Sequence, residues 1–252
     1  MFNDVYVTQS LFPDSLFETA TSDTKQRRRK KEQALLKKNR NFGLENCSSA
    51  VFCGQYGIPL IKTYTGEWPG RLVPFSELKG HGDQKIGVAT FEYDYLLDRL
   101  VYFPDKYAKL LSTYKCVCEP DLSIKIGNPL AVAVANTFRG HSVSYCLQEH
   151  GCRILPTMKW AAPNTFDVCF SGYGKGGAVI VSTIGIRRDE RSKMYFLYGF
   201  QEMLRRISPD SVGFYGDCVE WIDKMLPEQL DVRYFPHERF NRMRGYGRTR
   251  CI

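Results

Sequence analysis

The sequence predicts an α/β fold: repeated βα units on a mainly parallel sheet, curled into a partial or complete TIM-like barrel, with an open doubly wound sheet as the alternative. Two observations predict it. From Cys116 to Phe235, apolar segments rich in β-branched residues (CVCEPDLSI, RILPTMKW, GAVIVSTIG, SVGFYG and DVRYFP) alternate with helical stretches. A parallel return needs a crossover, and those helices supply it. Strand order is not readable from the chain, so barrel and open sheet both stand.

Four segments follow from the pattern. Residues 1–41 read as an N-terminal arm and a basic helix, and residues 42–85 as a loop-rich Gly/Pro segment packed on the core. Residues 86–236 are the βα-repeat core, and residues 237–252 a basic Arg/Gly tail. The arm is aromatic (Phe2, Tyr6, Phe12, Phe17), and Ser22 and Asp23 are candidate caps for the helical run KQRRRKKEQALLKKNR. In 42–85 Gly and Pro break every run. Cys47 and Cys53 there stand further apart than the usual zinc pair, with no second close pair nearby, so ordinary thiols are expected.

IGVATFEYD reads as a strand with Phe91 and Tyr93 on one face and Asp94 at its end, and Pro104 suits the first turn of the helix that follows. Cys116 and Cys118 lie two apart on the next strand and belong on one core-facing side. Pro120 marks that strand's end, which leaves Asp121 at its carboxyl terminus. Asn128-Pro129 opens a helix that is apolar almost all round until Asn136. Asn136 and Arg139 then need partners, and Arg139 can bridge to Asp121, as a structural ion pair or as an anion site. Trp160 ends RILPTMKW as a wall, a stacking surface or plain core, and Asn164 or Thr165 can cap the short helix after it. GYGKGG is not a phosphate loop, because it follows a helix and precedes a strand. Ser182, Thr183 and Gly185 close the next strand. Tyr215, Gly216 and Asp217 close the one after, with Asp217 also able to cap a helix.

Composition narrows the class. The chain has 252 residues, 43% hydrophobic and 25% charged, which suits a soluble globular protein. No apolar run reaches the length of a membrane helix, and the start MFNDVYVTQSLFPD has no basic leader followed by an apolar stretch. A cytoplasmic location with nine reduced cysteines is the expectation. The net charge of +8 is concentrated at the ends. Lys25 to Arg40 holds nine basic residues against Glu32, including Arg27, Arg28, Arg29, Lys30, Lys31, Lys37 and Lys38. Arg233 to Arg250 holds six arginines against Glu238, among them Arg242, Arg244 and Arg248. Basic ends on a mildly acidic body point to a polyanion, nucleic acid above all, although a solvated helix face would look the same.

Ligands of parallel α/β sheets bind beyond the carboxyl ends of the strands. That rim should gather Asp94, Asp121, Trp160, Thr183, Tyr215 and Asp217, approached by Asn136 and Arg139. Asp94, Asp121 and Arg139 are the candidate catalytic residues. Asn136, Trp160, Thr183, Tyr215 and Asp217 are candidate ligand contacts. The two carboxylates could transfer a proton or hold a divalent metal, whose identity stays open. No H-x-E, H-E-x-x-H or G-x-S-x-G motif occurs, and His81, His141, His150 and His237 fall away from strand ends.

The motifs PDLSIKIGNPLA, NTFRG, ILPTMKW, TFDVCFSG and KGGAVIVSTIG, followed by LYGFQEM and FYGD, resemble the family called domain of unknown function 4417, over about Ile86 to Phe235. The resemblance singles out Asp94, Pro120, Asp121, Ser123, Asn136, Arg139, Trp160, Phe166, Gly172, Gly185, Tyr215 and Gly216. It implies a phage or mobile-element setting and brings no established activity. Three functions remain in view. The first is a nucleic-acid-binding protein whose rim recognises or processes a nucleotide or phosphate group. The second is a non-catalytic regulator acting on a host protein. The third is a small-molecule hydrolase or lyase with Asp94 and Asp121 as acid and base.

Overall fold

The computed structural model describes residues 42–78, 80–184, 186, 189–216, 220–224 and 226–237, together with Arg27 and Lys30. The chain divides into two compact units, Met1–Arg40 and Asn41–Ile252. Of the first, Arg27 and Lys30 are described, both helical and exposed. The remaining basic candidates, Arg28, Arg29, Lys31, Lys37, Lys38, Arg242, Arg244 and Arg248, lie outside the described residues, as do Gly185 and Asp217.

In the second unit a small antiparallel hairpin, β1 (Phe52–Cys53) and β2 (Ile58–Pro59), precedes the main strands. These are β3 (Arg71–Pro74), β4 (Ile86–Ala89), β5 (Cys116–Cys118), β6 (Ile154–Leu155), β7 (Thr157–Met158), β8 (Ala178–Ser182), β9 (Ser211–Tyr215) and β10 (Asp231–Phe235). They form two four-stranded sheets, β3-β4-β5-β6 and β7-β8-β9-β10, parallel at every pairing. The α/β class and the parallel sheet expected from the sequence are therefore present. The two sheets meet at Pro156, which separates β6 from β7 and has no N–H to give a ladder, while its carbonyl accepts from Ile180 N at 2.9 Å.

Strand order follows chain order, without the reversal that defines a doubly wound sheet. Among the described residues no hydrogen-bonded ladder joins β3 to β10, so no closed barrel is present. Two departures from the sequence pattern concern boundaries. Arg71–Pro74 pairs in register with Ile86–Ala89, so the boundary drawn at residue 85 cuts through a sheet. The strand IGVATFEYD stops at Ala89, and Asp94 opens a helix instead.

The helices are α1 (Asp94–Tyr102), α2 (Pro104–Leu111), α3 (Leu130–Glu149), the short α4 (Phe166–Cys169), α5 (Glu190–Ile207) and α6 (Glu220–Asp223). Proline starts two of them, Pro104 at the first position of α2 and Pro129 just ahead of α3. The Asp189 side chain caps α5 by accepting from Ser192 N at 2.8 Å. The outer face of the first sheet (Val88, Val117, Ile154) packs on Leu97, Leu100, Ala108, Leu111, Val143 and Leu147 of α1, α2 and α3. The same face of the second (Met158, Val179, Val181, Val212, Phe214) packs on Phe196, Phe200, Met203 and Ile207 of α5. The opposite faces bury a separate core made by Leu72, Ala89, Cys116, Cys118, Leu155, Ile180, Tyr215 and Phe235, with Tyr64 and Trp68 packed among them. Both cysteines thus take the core-facing positions expected of them.

Candidate functional site

Because every pairing within the two sheets is parallel, the strands of each sheet end on the same side, and the candidate site lies beyond those ends. There the turn after β4 delivers Asp94, the turn after β5 delivers Glu119, Pro120, Asp121 and Ser123, and β7 runs directly into Lys159. Asp94, at the start of α1, accepts from Ser123 N at 3.1 Å and from Ser123 Oγ at 2.9 Å. A carboxylate suits the first turn of a helix, where backbone N–H groups and the macrodipole favour negative charge. Asn136 on α3 donates to Ser123 O at 2.8 Å and so ties that loop to the helix.

Asp121 is the chemically unsettled group. Its carboxyl pKa is pushed up from 3.8 to about 6, first by burial and then by the nearby Asp94 carboxylate, against the opposing pull of the Lys159 ammonium. Among the described residues no hydrogen bond reaches its carboxylate. A carboxyl group that titrates near pH 6 and is uncommitted to the described residues can both give and take a proton. Lys159 beside it is 10% exposed, donates to Pro120 O at 2.6 Å and stands 3.8 Å from Glu119 Oε1.

Behind this pair lie two fully buried side chains, Glu119 and His141, with Tyr173 half-buried beside them. Glu119 accepts from Tyr173 OH at 2.8 Å through Oε2, and its Oε1 is 3.6 Å from His141 Nε2, with both side chains inaccessible to solvent. His141 Nδ1 bonds to Pro59 O at 2.8 Å, and its ring meets the Tyr173 ring edge-on at 4.4 Å. The backbone carbonyl of Glu119 takes the hydroxyls of Thr90 and Thr157. Two glycines make the approach possible. A Cβ at Gly140 would stand 3.1 Å from Glu119 Oε1, and one at Gly172 (φ +78°) would stand 2.7 Å from Pro59 O.

The structure brings together Asp94, Asp121 and Asn136 of the expected site, and it places Arg139, Trp160, Thr183 and Tyr215 elsewhere. The Asp121–Arg139 bridge does not form. Arg139 lies over the rings of Phe42 (5.6 Å) and Tyr102 (5.9 Å). Its charge acts instead on Asp98, where burial pushes the carboxyl pKa up and the guanidinium opposes the rise. Helical geometry explains this, since Asn136 and Arg139 share a face but Arg139 lies a turn further along, against α1. Lys159 supplies the cation that Arg139 was expected to supply. Trp160 is core: its Nε1 donates to Tyr195 O at 3.1 Å and its ring packs on Phe170 and Phe196 under α5. Thr183 and Tyr215 are buried and bonded to each other through Thr183 N and Tyr215 O at 2.9 Å, and Tyr215 stacks on Phe91 at 4.5 Å. They seal the inner core beside the rim.

Glu119, His141, Lys159 and Tyr173 are absent from the sequence-derived set. Glu119 was readable as an acid directly after CVC, and Lys159 as a cation one residue before Trp160. His141 and Tyr173 gave no local signal, because helix packing and the Gly172 turn bring them in. Aromatic surface at the rim comes from another source as well. Tyr93 and Tyr95, on either side of Asp94, are 70% and 58% exposed and stack on each other at 5.8 Å with 14° between planes. Among the described residues no group of three or more His, Cys, Asp and Glu side chains is arranged to hold a metal ion, and no helix is long and apolar enough to cross a membrane.

Sheet, helices and rim together define a parallel βα domain with a cluster of carboxyl groups and a lysine at its strand ends. The chain belongs to the family described as Domain of unknown function (DUF4417), whose model matches residues 50–234. The match begins ahead of β1, further toward the N-terminus than the motif resemblance reached. Phage proteins are among its relatives. It is 31% identical over 143 residues to the Gene 1 protein of Mycobacterium phage L5, covering 57% of this chain and 61% of the relative. It is 33% identical over 143 residues to the Gene 1 protein of Mycobacterium phage D29, covering 57% and 52%. The chain therefore spans less than two thirds of either relative. No solved structure matches.

Proposed function

We propose that this phage-family protein binds nucleic acid through its basic end segments and uses the strand-end site to recognise or process one nucleotide. The observation that carries the site reading is Asp121, a part-buried carboxyl with a pKa near 6 and no hydrogen bond from the described residues, set beside Asp94 and Lys159. The exposed, mutually stacked Tyr93 and Tyr95 flank Asp94 and offer ring faces for a base. Acidic groups repel phosphate, so the site suits the hydrogen-bonding edge of a base or sugar. Phosphate elsewhere on the strand is left to the basic end segments, Lys25–Arg40 and Arg233–Arg250. The one-way strand order and the inner core support a partial barrel, a fold whose ligands bind at this same rim.

The test is fluorescence anisotropy with labelled single-stranded DNA and RNA across a salt series. Affinity should fall steeply with salt, and Tyr93→Ala with Tyr95→Ala should weaken it by roughly tenfold without changing the salt slope, as loss of a stacked base does. Binding that ignores both salt and the tyrosines sinks the proposal. A second reading, acid–base catalysis on a small molecule by Asp94 and Asp121, is favoured by one observation: the two carboxyls are close enough for Asp94 to raise the pKa of Asp121. Turnover lost in Asp121→Asn without any nucleic-acid affinity would favour it.

A further inference from the structure

Few buried polar side-chain atoms lack a hydrogen bond among the described residues, and two of them face each other: Glu119 Oε1 and His141 Nε2, 3.6 Å apart. Native interiors rarely leave such atoms unmatched, so the pair calls for a physical reason. The histidine tautomer supplies it. Pro59 O can only accept, so the 2.8 Å bond from His141 Nδ1 means that Nδ1 carries a hydrogen. In a neutral ring Nε2 is then a bare lone pair. Opposite a bare Glu119 carboxylate it would set two acceptors against each other in a site closed to water, an arrangement with a large cost. One proton between them removes that cost, whether it rests on the imidazole or on the carboxyl.

We infer that Glu119 and His141 share one buried proton, and that the pair with Lys159 forms the inner half of the strand-end site. The groups facing it are few. Tyr173 donates to Glu119 Oε2, and its phenol pKa is driven up by burial and by Glu119, so it stays a donor. Lys159 Nζ stands 3.8 Å from Glu119 Oε1, and Cys169 of α4, its thiol pKa pushed up to about 11 mainly by burial, remains neutral. Asp121 completes the set on the outer side, and Lys159 acts on it and on Glu119 alike. With the proton in place the inner pair is neutral. Lys159 then balances the outer carboxyls, and Asp121 can exchange protons with a ligand while the inner proton stays in reserve. Glu119 is a positioning residue in this arrangement: it holds Lys159 from behind. The inference does not depend on which ligand the rim takes.

The test is nuclear magnetic resonance on the full-length chain. Long-range proton–nitrogen spectra of the ring of His141 are followed between pH 5.5 and 8.5. The signal is assigned by its loss in His141→Gln or, if that variant does not fold, by through-space contacts to the Tyr173 ring. The expected result is a protonated Nδ1 throughout, an Nε2 signal displaced from that of a bare nitrogen, and no titration in this range. A bare Nε2 across the range, or a proton on Nε2 with none on Nδ1, overturns the inference. So does an ordinary titration of the ring. Glu119→Gln gives an independent reading, because it is neutral whether or not the native pair is. If the pair already holds its proton, the Asp121 midpoint read from its carboxyl carbon stays in place. If Glu119 is a bare carboxylate, that midpoint falls by about one pH unit or more, and the inference fails.

Discussion

Replacing Asp121 with Asn should stabilise the protein at pH 8 and do almost nothing at pH 4. The folded carboxyl has its pKa at about 6 against an ordinary 3.8. Below 3.8 the group is protonated in both the folded and the unfolded chain, and it contributes no difference. Between 3.8 and 6 only the folded chain keeps the proton, so stability drops as pH rises. Above 6 both states are ionised, and the folded state bears the whole cost of a charge it disfavours, roughly 3 kcal/mol at most. Partial exposure of the side chain reduces this to about 2 kcal/mol. Asn removes the charge and keeps the shape. In a domain of this size the gain corresponds to a melting temperature higher by about 4–8 °C at pH 8. Thermal and urea unfolding followed by circular dichroism at half-unit steps from pH 4 to 8 measures it. The reasoning is refuted if the difference between the two proteins is the same at every pH, or if the Asp121→Asn variant is the less stable of the two at pH 8. An acid that weakens the fold at working pH is what a site selected for chemistry looks like.

Three further outcomes are expected. Ser123→Ala removes the 2.9 Å bond to Asp94 and leaves the backbone bond, so urea unfolding should show a loss of about 1 kcal/mol. Gly199→Ala puts a methyl group inside van der Waals contact of Trp160 Nε1 and Cδ1; this should outweigh the better helix propensity and cost about 1–3 kcal/mol in the same assay. Burial pushes the thiol pKa of Cys116 and of Cys152 up to about 12, so alkylation of native protein at pH 8, mapped by mass spectrometry, should spare both until denaturant is added.

The βα rhythm was legible because strand and helix periods are local properties. The chain spells out IGVA, AVIVS and SVGFY as plainly as it spells out the apolar helix after Pro129. The rim acids Asp94 and Asp121 were legible for the same reason, since a carboxyl terminus of a strand can be found by counting. What escaped depended on three-dimensional packing. Arg71–Pro74 is too short and too surrounded by Gly and Pro to announce itself as a sheet strand, and only its register with Ile86–Ala89 makes it one. Arg139 looked like the partner of Asp121 because a guanidinium on a buried helix needs one and Asp121 ends the preceding strand, yet the turn of α3 it occupies faces Phe42 and Tyr102. Trp160 ends a strand and still turns away from the rim, drawn beneath α5 by the space that Gly199 leaves open.

The distribution of charge explains why the site has two layers. Glu119 and Asp121 both feel the Lys159 ammonium and Asp94 stands near Asp121, so full ionisation would set three carboxylates against one nearby lysine. Each acid is handled differently. Asp94 is held by the Ser123 N–H and hydroxyl at a helix start, where negative charge is welcome. Glu119 is enclosed, bonded by Tyr173 and faced by His141, which gives its charge a proton to meet. Asp121 receives neither treatment, and its pKa rises in consequence. Because its two neighbours are satisfied by the protein, Asp121 alone is left to answer to a ligand. A ligand that donates a hydrogen bond there would favour the ionised form and return the pKa toward 3.8, so binding should release a proton near pH 6. Calorimetric titration with single-stranded nucleic acid in buffers of different ionisation heat would register that release, and an apparent heat that does not vary with buffer at pH 6 would exclude Asp121 from the contact.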